Sequence, residues 1–236
     1  MHVFFCDNIN SNSGVLDKTE SAHAIRVLRL KIGDTIVVLD GAGAVHHALI
    51  NGADAKACAF AITQSQTASK RKVSLHVAIA PTKMNDRMEW FLEKAVEMGI
   101  EKITPVLCEH SERRNVNMER FQKVIKAALK QSMQPYLPVL YDPVALPVFL
   151  KTAAPGFIAH CNSAVDHLLE RRMPEMGEVC VLIGPEGDFS PNEVAQAIKG
   201  GWLPVSLGTS RLRTETAGVY VCALTRTLNE KINQSK

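Results

Sequence analysis

The segment of residues 182–193 constrains the fold of this chain more than any other. The apolar run 179–183 predicts a buried strand that ends at Gly184. Ser190 then has the character of a helix N-cap, because Glu193 follows at the spacing of a capping box. A strand that ends in a glycine-containing loop before a helix is typical of α/β sheets, which bind ligands at that edge. Ordinary strand-to-helix connections share this pattern, so the loop alone leaves both readings open.

A second loop of the same kind follows in the last part of the chain. The short apolar segment 203–207 ends at Gly208, and residues 209–218 lead into the last predicted helix. A glycine at such a position lets the backbone approach a ligand without a Cβ in the way. The two loops together therefore predict a binding site at one edge of a sheet.

The hydrophobic period changes along the chain and predicts two parts. Residues 1–68 contain short strand-like runs separated by turn signals, which favours a compact β-rich unit. The polar segment 64–72 predicts a linker. Beyond it, strands alternate with amphipathic helices, which predicts a parallel α/β sheet.

Composition excludes several classes of protein. The chain has 236 residues, 46% of them hydrophobic, and no apolar run approaches the length of a membrane span. The six cysteines include no C-x-x-C pair, which argues against a zinc site and favours a reducing, cytoplasmic location. The formal net charge of +3 is too small to indicate nucleic-acid binding by itself, so a basic surface would have to be local.

Together, the two glycine loops resemble the cofactor motifs of the SPOUT methyltransferases, and most closely those of the RsmE family. The family pattern L-I-G-P-E-G-G-F-S-x-x-E matches residues 182–193 except at Asp188. The pattern L-G-x-R-I-L-R-x-E-T-A matches residues 207–217 except at Ser210-Arg211. Other family elements occur in the expected order, at residues 23–29, Lys83, 94–99, 110–113 and 131–132, with departures at Lys130 and Gln134.

The resemblance implies a fold and a function. It implies a PUA-like, β-rich RNA-binding domain over 1–68 and a parallel-sheet SPOUT domain over 73–236, with a trefoil knot at about 180–230. Knots are disfavoured in general, so that expectation comes from the resemblance alone. The implied reaction is methylation of N3 of a uridine in 16S ribosomal RNA, free or in the small ribosomal subunit, by a homodimer that uses S-adenosylmethionine. Two alternatives stay open: another SPOUT enzyme acting on tRNA or rRNA, and a non-catalytic RNA-binding protein.

Residue roles follow from the same resemblance. The implied cofactor-binding residues are His160, Leu182, Ile183, Gly184, Pro185, Gly187, Leu207, Gly208, Leu212, Thr216 and Ala217. The implied RNA-binding residues are Arg26, Arg29, Lys31, Lys83, Arg113 and Arg114. No metal site is expected.

Three further side chains are candidates for catalysis. Arg213 and Arg211 could stabilise a deprotonated uridine, because a nearby cation favours an anionic form. Their guanidinium groups could equally hold a phosphate. Glu186 could orient a proton acceptor or merely cap backbone amides, and no residue stands out as a general base.

Overall fold

The computed structural model describes residues 2–161 and 168–234, and the chain forms two compact units. The first unit comprises Met1–Lys70 together with Lys126–Leu137. The second unit comprises Arg71–Ile125 and Pro138–Lys236. The predicted first domain, residues 1–68, did not include residues 126–137, which belong to the first unit.

The first unit is built on a mostly antiparallel sheet. Its strands are β1 His2–Phe5, β2 Ile9–Asn10, β3 Ser13–Val15, β4 Thr35–Leu39, β5 Ala44–Gly52 and β6 Ala59–Thr67. They lie in the order β1-β4-β5-β6-β3-β2, with β1 parallel to β4 and the other pairs antiparallel. Helix α1, Lys18–Ala22, follows β3 and begins at Asp17, whose carboxylate accepts a hydrogen bond from the amide of Glu20 at 2.8 Å. One turn of π-helix, His23–Val27, continues it.

The hairpin of β5 and β6 is longer than the sequence predicted. Cross-strand pairs run from Ala44–Thr67 to His47–Gln64, so residues 64–67 belong to a strand. The predicted linker over 64–72 is wrong for those residues. Their polar side chains are exposed, and the strand is held there by its backbone ladder rather than by burial.

The second unit confirms the predicted parallel α/β sheet. Its strands are β7 Val73–Ile79, β8 Lys102–Leu107, β9 Val139–Leu140, β10 Val144–Ala145, β11 Phe157–Ala159, β12 Gly177–Ile183 and β13 Leu203–Val205. They lie in the order β10-β8-β7-β12-β11-β13, β9 also pairs with β8, and every one of these pairs is parallel.

Helices follow most of these strands. They are α2 Asn85–Met98, α3 Met118–Ser132, α4 Leu146–Thr152, α5 Pro191–Lys199 and α6 Thr214–Gln234, and Leu169–Arg171 forms a short 3₁₀ turn. The capping box predicted at Ser190 and Glu193 is confirmed at the start of α5. Gly99 ends α2 with φ +83°, a left-handed conformation that glycine adopts without a steric cost. None of the helices in the described part of the chain is both long and apolar enough to span a bilayer.

The topology brings three strand ends to one edge of the sheet. Strand β12 lies between β7 and β11, and β11 pairs on its other side with β13. Because these strands are parallel, Ala159, Ile183 and Val205 all end at the same edge. A core that includes Leu182 and Trp202, both almost fully buried, supports this edge from below. The knot expected at about 180–230 stays a prediction.

Candidate cofactor and methyl-transfer site

A cavity of about 580 Å³ lies at the edge where β11, β12 and β13 end. That volume falls within the range of pockets that hold small molecules. The predicted site residues that line it are His160, Ile183, Gly184, Pro185, Glu186, Leu207, Gly208, Arg211, Leu212, Arg213 and Ala217. Both glycine loops and the end of β11 therefore meet in one cavity.

Three predicted cofactor-binding residues lie outside the lining of this cavity. The side chain of Leu182 is fully buried in the core, and its backbone pairs with β7 and β11. At Gly187, a Cβ would lie 3.1 Å from the Cβ of His110, so this glycine allows two loops to pack. Thr216 is exposed on α6. The next residue, Ala217, does line the cavity, because consecutive residues of a helix point to different sides of it.

The two glycines at the strand ends serve different physical needs. Gly208 has φ +122°, and no atom of the described chain lies within 4 Å of the place a Cβ would take. Its absent side chain leaves the cavity wall open. At Gly184, by contrast, a Cβ would lie 3.1 Å from the ring of Phe189, which is buried. Gly184 therefore also meets a packing requirement, and close approach of a ligand to either glycine stays a prediction.

Asp188 is a lining residue that the sequence reasoning treated only as a departure from the family pattern. Its φ of +63° is left-handed, which explains why a glycine is usual at this position and why aspartate is tolerated. One carboxylate oxygen, Oδ2, accepts a hydrogen bond from the amide of Cys161 at 3.1 Å, and Oδ1 accepts one from the amide of Phe189 at 2.8 Å. Asp188 thereby ties the cofactor loop to the chain that leaves β11.

Thr214 is a second lining residue that sequence reasoning missed. It is buried at the first position of α6, and its hydroxyl donates to the carbonyl of Gly184 at 3.0 Å. That bond joins the two loops. A threonine just before an acidic residue at a helix start is the signal that could have identified it.

Glu186 is engaged with the backbone. Its Oε1 accepts a hydrogen bond from the amide of Lys83 at 2.9 Å, which favours the amide-capping alternative over a direct catalytic role.

Two of the predicted RNA-binding residues of the second unit make contacts beside the cavity. Arg113 donates to the backbone carbonyl of Lys83 from Nε at 3.0 Å and from Nη2 at 2.8 Å. Lys83 Nζ pairs with Glu112 at 2.8 Å. Lys83 and Arg113 thus hold the loops beside the cavity, whereas Arg114 is exposed.

The two predicted catalytic arginines are available to a ligand. Arg211 and Arg213 line the cavity and are exposed. Within residues 2–161 and 168–234, neither guanidinium group makes a hydrogen bond or an ion pair. No described residue therefore neutralises their positive charge by direct contact.

Burial is the main influence on the pKa of two other lining residues, His160 and Cys161. Burial lowers the pKa of the His160 imidazole, and the negative charge of Asp188 opposes that shift. Burial and then Asp188 raise the pKa of the Cys161 thiol, and Arg211 opposes this. At neutral pH, the imidazole is therefore uncharged and the thiol keeps its proton. Across the part of the chain that the structure describes, no group of three His, Cys, Asp or Glu side chains could hold a metal ion.

The RNA-binding residues predicted in the first unit are all exposed. Arg26, Arg29 and Lys31 lie in and just after the π-helical turn, and Arg29 has a left-handed φ of +56°. The apolar Val27 and Leu28 between these cations were both expected to anchor the segment. Leu28 packs against the core of the unit. Val27 does not, because 66% of it is exposed, so that expectation is wrong for Val27.

Comparison with known proteins decides the family. A family model described as an RNA methyltransferase domain matches residues 69–226, and one described as an RNA methyltransferase PUA domain matches residues 16–63. The ribosomal RNA small subunit methyltransferase E of Synechocystis is 31% identical over 87% of this chain and 70% of its own. This chain belongs to the ribosomal RNA small subunit methyltransferase E family. The family predicted from the two glycine loops is confirmed, as is the PUA-like nature of the first domain.

Two solved structures share the fold along nearly the whole chain. A probable rRNA methyltransferase from Porphyromonas gingivalis has a TM-score of 0.87 and 38% identity, covering 98% of this chain and 99% of its own. A ribosomal RNA small subunit methyltransferase E from Neisseria gonorrhoeae, solved bound to S-adenosyl methionine, has a TM-score of 0.83 and 26% identity, covering 97% and 98%. Each of these structures therefore matches this chain across both of its domains.

Proposed function

We propose that this protein transfers the methyl group of S-adenosylmethionine to N3 of a uridine in 16S ribosomal RNA. The observation that carries the proposal is that both family loops line one cavity at the carboxyl edge of the sheet. The relative from Neisseria gonorrhoeae that shares the fold is itself bound to S-adenosyl methionine. The substrate would place the protein with ribosomal RNA in the cytoplasm.

The residues of the cavity fit such a cofactor. Leu207, Leu212 and Ala217 offer apolar contact to an adenine ring, and the open backbone at Gly208 permits close approach. Ile183 ends β12 at the same edge and lines the cavity beside them. When bound, the cofactor supplies an electrophilic methyl group.

Within this proposal, the chain contributes orientation and charge. Rate enhancement in methyl transfer comes mainly from holding the nucleophile in line with the methyl carbon. The proton on uracil N3 has to leave, and the uncompensated guanidinium groups of Arg211 and Arg213 favour the resulting anion. The exposed cations Arg26, Arg29 and Lys31 of the PUA-like domain would hold the RNA backbone.

We also infer a homodimer formed through α6. Val219, Tyr220, Ala223 and Leu224 leave an apolar, partly exposed face on this helix. Cys222 lies on the same helix but is buried, so it does not belong to this face. Sedimentation at micromolar concentration tests the inference, and a monomer of 25.9 kDa would overturn it.

The proposed reaction is tested by methyl transfer to separated RNA fractions. The protein is incubated with methyl-labelled S-adenosylmethionine and, separately, small-subunit rRNA, large-subunit rRNA and tRNA from a strain without its own methyltransferase E. Label in small-subunit rRNA alone supports the proposal. Label in tRNA supports another SPOUT enzyme, and RNA binding without any label supports a non-catalytic module.

A further inference from the structure

The proposed reaction needs a proton acceptor, because a neutral uracil carries hydrogen on N3. Among the described residues that line the cavity, four side chains could accept a proton: His160, Cys161, Glu186 and Asp188. Hydroxyl groups that line it, such as that of Thr214, are far too weak as bases. The choice among the four follows from their contacts.

Three of these groups are unsuited to the task. Both carboxylates already accept hydrogen bonds from backbone amides, Glu186 from Lys83 and Asp188 from Cys161 and Phe189. These bonds tie both carboxylates to the backbone of the loops and occupy oxygens that a uracil N3–H would have to reach. The Cys161 thiol keeps its proton, since burial and the neighbouring carboxylate of Asp188 both raise its pKa.

His160 remains, and its position suits a general base. It follows the last residue of β11 and lines the cavity together with Arg211 and Arg213. Its backbone amide donates to Val205 at 3.4 Å, which fixes the start of the loop to β13. From the geometry of the cavity, we propose that His160 is the catalytic residue that removes the proton from uracil N3. The proposal rests on the proposed function.

The charges around His160 keep it in the required state. Asp188 faces it from the loop after β12, Arg211 and Arg213 from the loop after β13, and Cys161 follows it in the chain. Burial is the largest influence and lowers the imidazole pKa, so the ring is uncharged and able to accept a proton at neutral pH. A general base with a pKa not far below the working pH is effective.

The step balances in atoms and charge. The N3–H bond breaks and its proton goes to an imidazole nitrogen of His160. The N3 electron pair forms the bond to the methyl carbon as the carbon–sulfur bond breaks, and that bonding pair stays on sulfur. The products are a methylated uracil, a neutral thioether and an imidazolium, which then loses its proton to water.

The test compares His160→Gln with the wild-type protein across pH, with His47→Gln in the first unit as a matched control for loss of an imidazole. Wild-type kcat should be constant from neutral to mildly alkaline pH, because His160 is already unprotonated there. In His160→Gln, kcat should fall at least ~10²-fold at neutral pH and then rise about tenfold per pH unit, as solvent removes the proton instead. Added imidazole should partly restore His160→Ala, and His47→Gln should follow the wild-type profile.

Two measurements separate a chemical role from a structural one. Affinity for S-adenosylmethionine, measured by calorimetry, should fall far less than kcat in His160→Gln, because the ring acts on the RNA base in addition to its predicted contact with the cofactor. The pKa of the His160 ring, measured by NMR in the protein without ligand, should lie below the ordinary histidine value. Overturning results are a pH profile with unchanged shape, or a kcat loss matched by lost cofactor affinity. If the wild-type protein fails to bind S-adenosylmethionine, the proposed function fails instead.

Discussion

At the scale of single residues, Gly184 and Gly208 occupy matching strand ends and yet respond to different constraints. The backbone of Gly208 is left-handed and faces open space, whereas Gly184 is crowded by the buried ring of Phe189. The sequence placed both loops at a site because glycine after an apolar strand is a visible signal. From the sequence alone, a glycine that permits close approach of a ligand looks the same as one that permits close internal packing.

This difference predicts that alanine weakens cofactor binding at one position and lowers stability at the other. Gly208→Ala should weaken S-adenosylmethionine binding at least ~10-fold, because a Cβ and a strained φ of +122° disturb the cavity wall. Gly184→Ala should instead lower the free energy of unfolding by roughly 1–3 kcal/mol through overpacking against Phe189. Calorimetry and denaturant unfolding on both variants check this. Equal effects on affinity and stability in the two variants would contradict it.

Arg213 belongs to the same scale. Its guanidinium group lines the cavity and makes no ion pair with any residue of the described chain, so its replacement should leave the fold intact. Arg213→Ala should reduce turnover by roughly 10² or more while cofactor affinity stays near wild type, if the charge stabilises the uracil anion. Should the loss appear only in apparent RNA affinity and vanish at saturating RNA, Arg213 binds phosphate and the catalytic role is wrong.

At the scale of elements, α1 and the end of α3 are joined by an ion pair inside the first unit. Lys130 Nζ lies 2.5 Å from Glu20 Oε1, and both side chains are largely buried. The other oxygen, Oε2, is buried without a hydrogen-bond partner among the described residues. Lys130 departs from the family pattern, and Glu20 is the residue that accommodates this departure.

Breaking this pair should destabilise the first unit. Lys130→Ala leaves the Glu20 carboxylate buried without its cation and should lower the free energy of unfolding by about 2 kcal/mol. Adding Glu20→Gln should recover part of that loss, because no uncompensated charge then remains. Urea unfolding of Lys130→Ala, Glu20→Gln and the double variant measures the coupling. Additive losses in the double variant would show that the pair contributes no interaction energy.

Strands β7 and β8 are bridged by a buried histidine whose titration should make stability depend on pH. His76 Nε2 lies 2.8 Å from the hydroxyl of Thr104, and burial lowers the pKa of His76 to about 4. Between the unfolded value of about 6.5 and this folded value, the unfolded chain binds more protons. Stability should therefore fall as pH drops through this window, by about 3 kcal/mol, and the loss should be complete below the folded pKa.

The matched variant for this prediction is His76→Gln, which can still hydrogen-bond to Thr104. Denaturant unfolding at a series of pH values should show a shallower acid loss in His76→Gln than in the wild type. The comparison cancels the carboxylates that titrate in both proteins. Identical pH dependence would mean that His76 is equally protonated in the folded and unfolded states.

For the molecule as a whole, the order of strands and helices was predictable because the hydrophobic period changes from two to 3.6 near residue 70. The capping box at Ser190 was likewise a local signal, and it is confirmed. The place of residues 126–137 in the first unit was not predictable, since it depends on long-range packing of a helix that looks continuous. The hydrogen bonds of Asp188 were hidden for the same reason.

The atom of the RNA that receives the methyl group distinguishes the proposed reaction from other RNA methylations. The most direct test is mass spectrometry of nucleosides from small-subunit rRNA after reaction with the protein and S-adenosylmethionine labelled in its methyl group. A single labelled nucleoside, 3-methyluridine, mapped to one position of 16S rRNA, is the predicted result. Label on a ribose hydroxyl, on another base, or on no nucleoside at all would contradict the account.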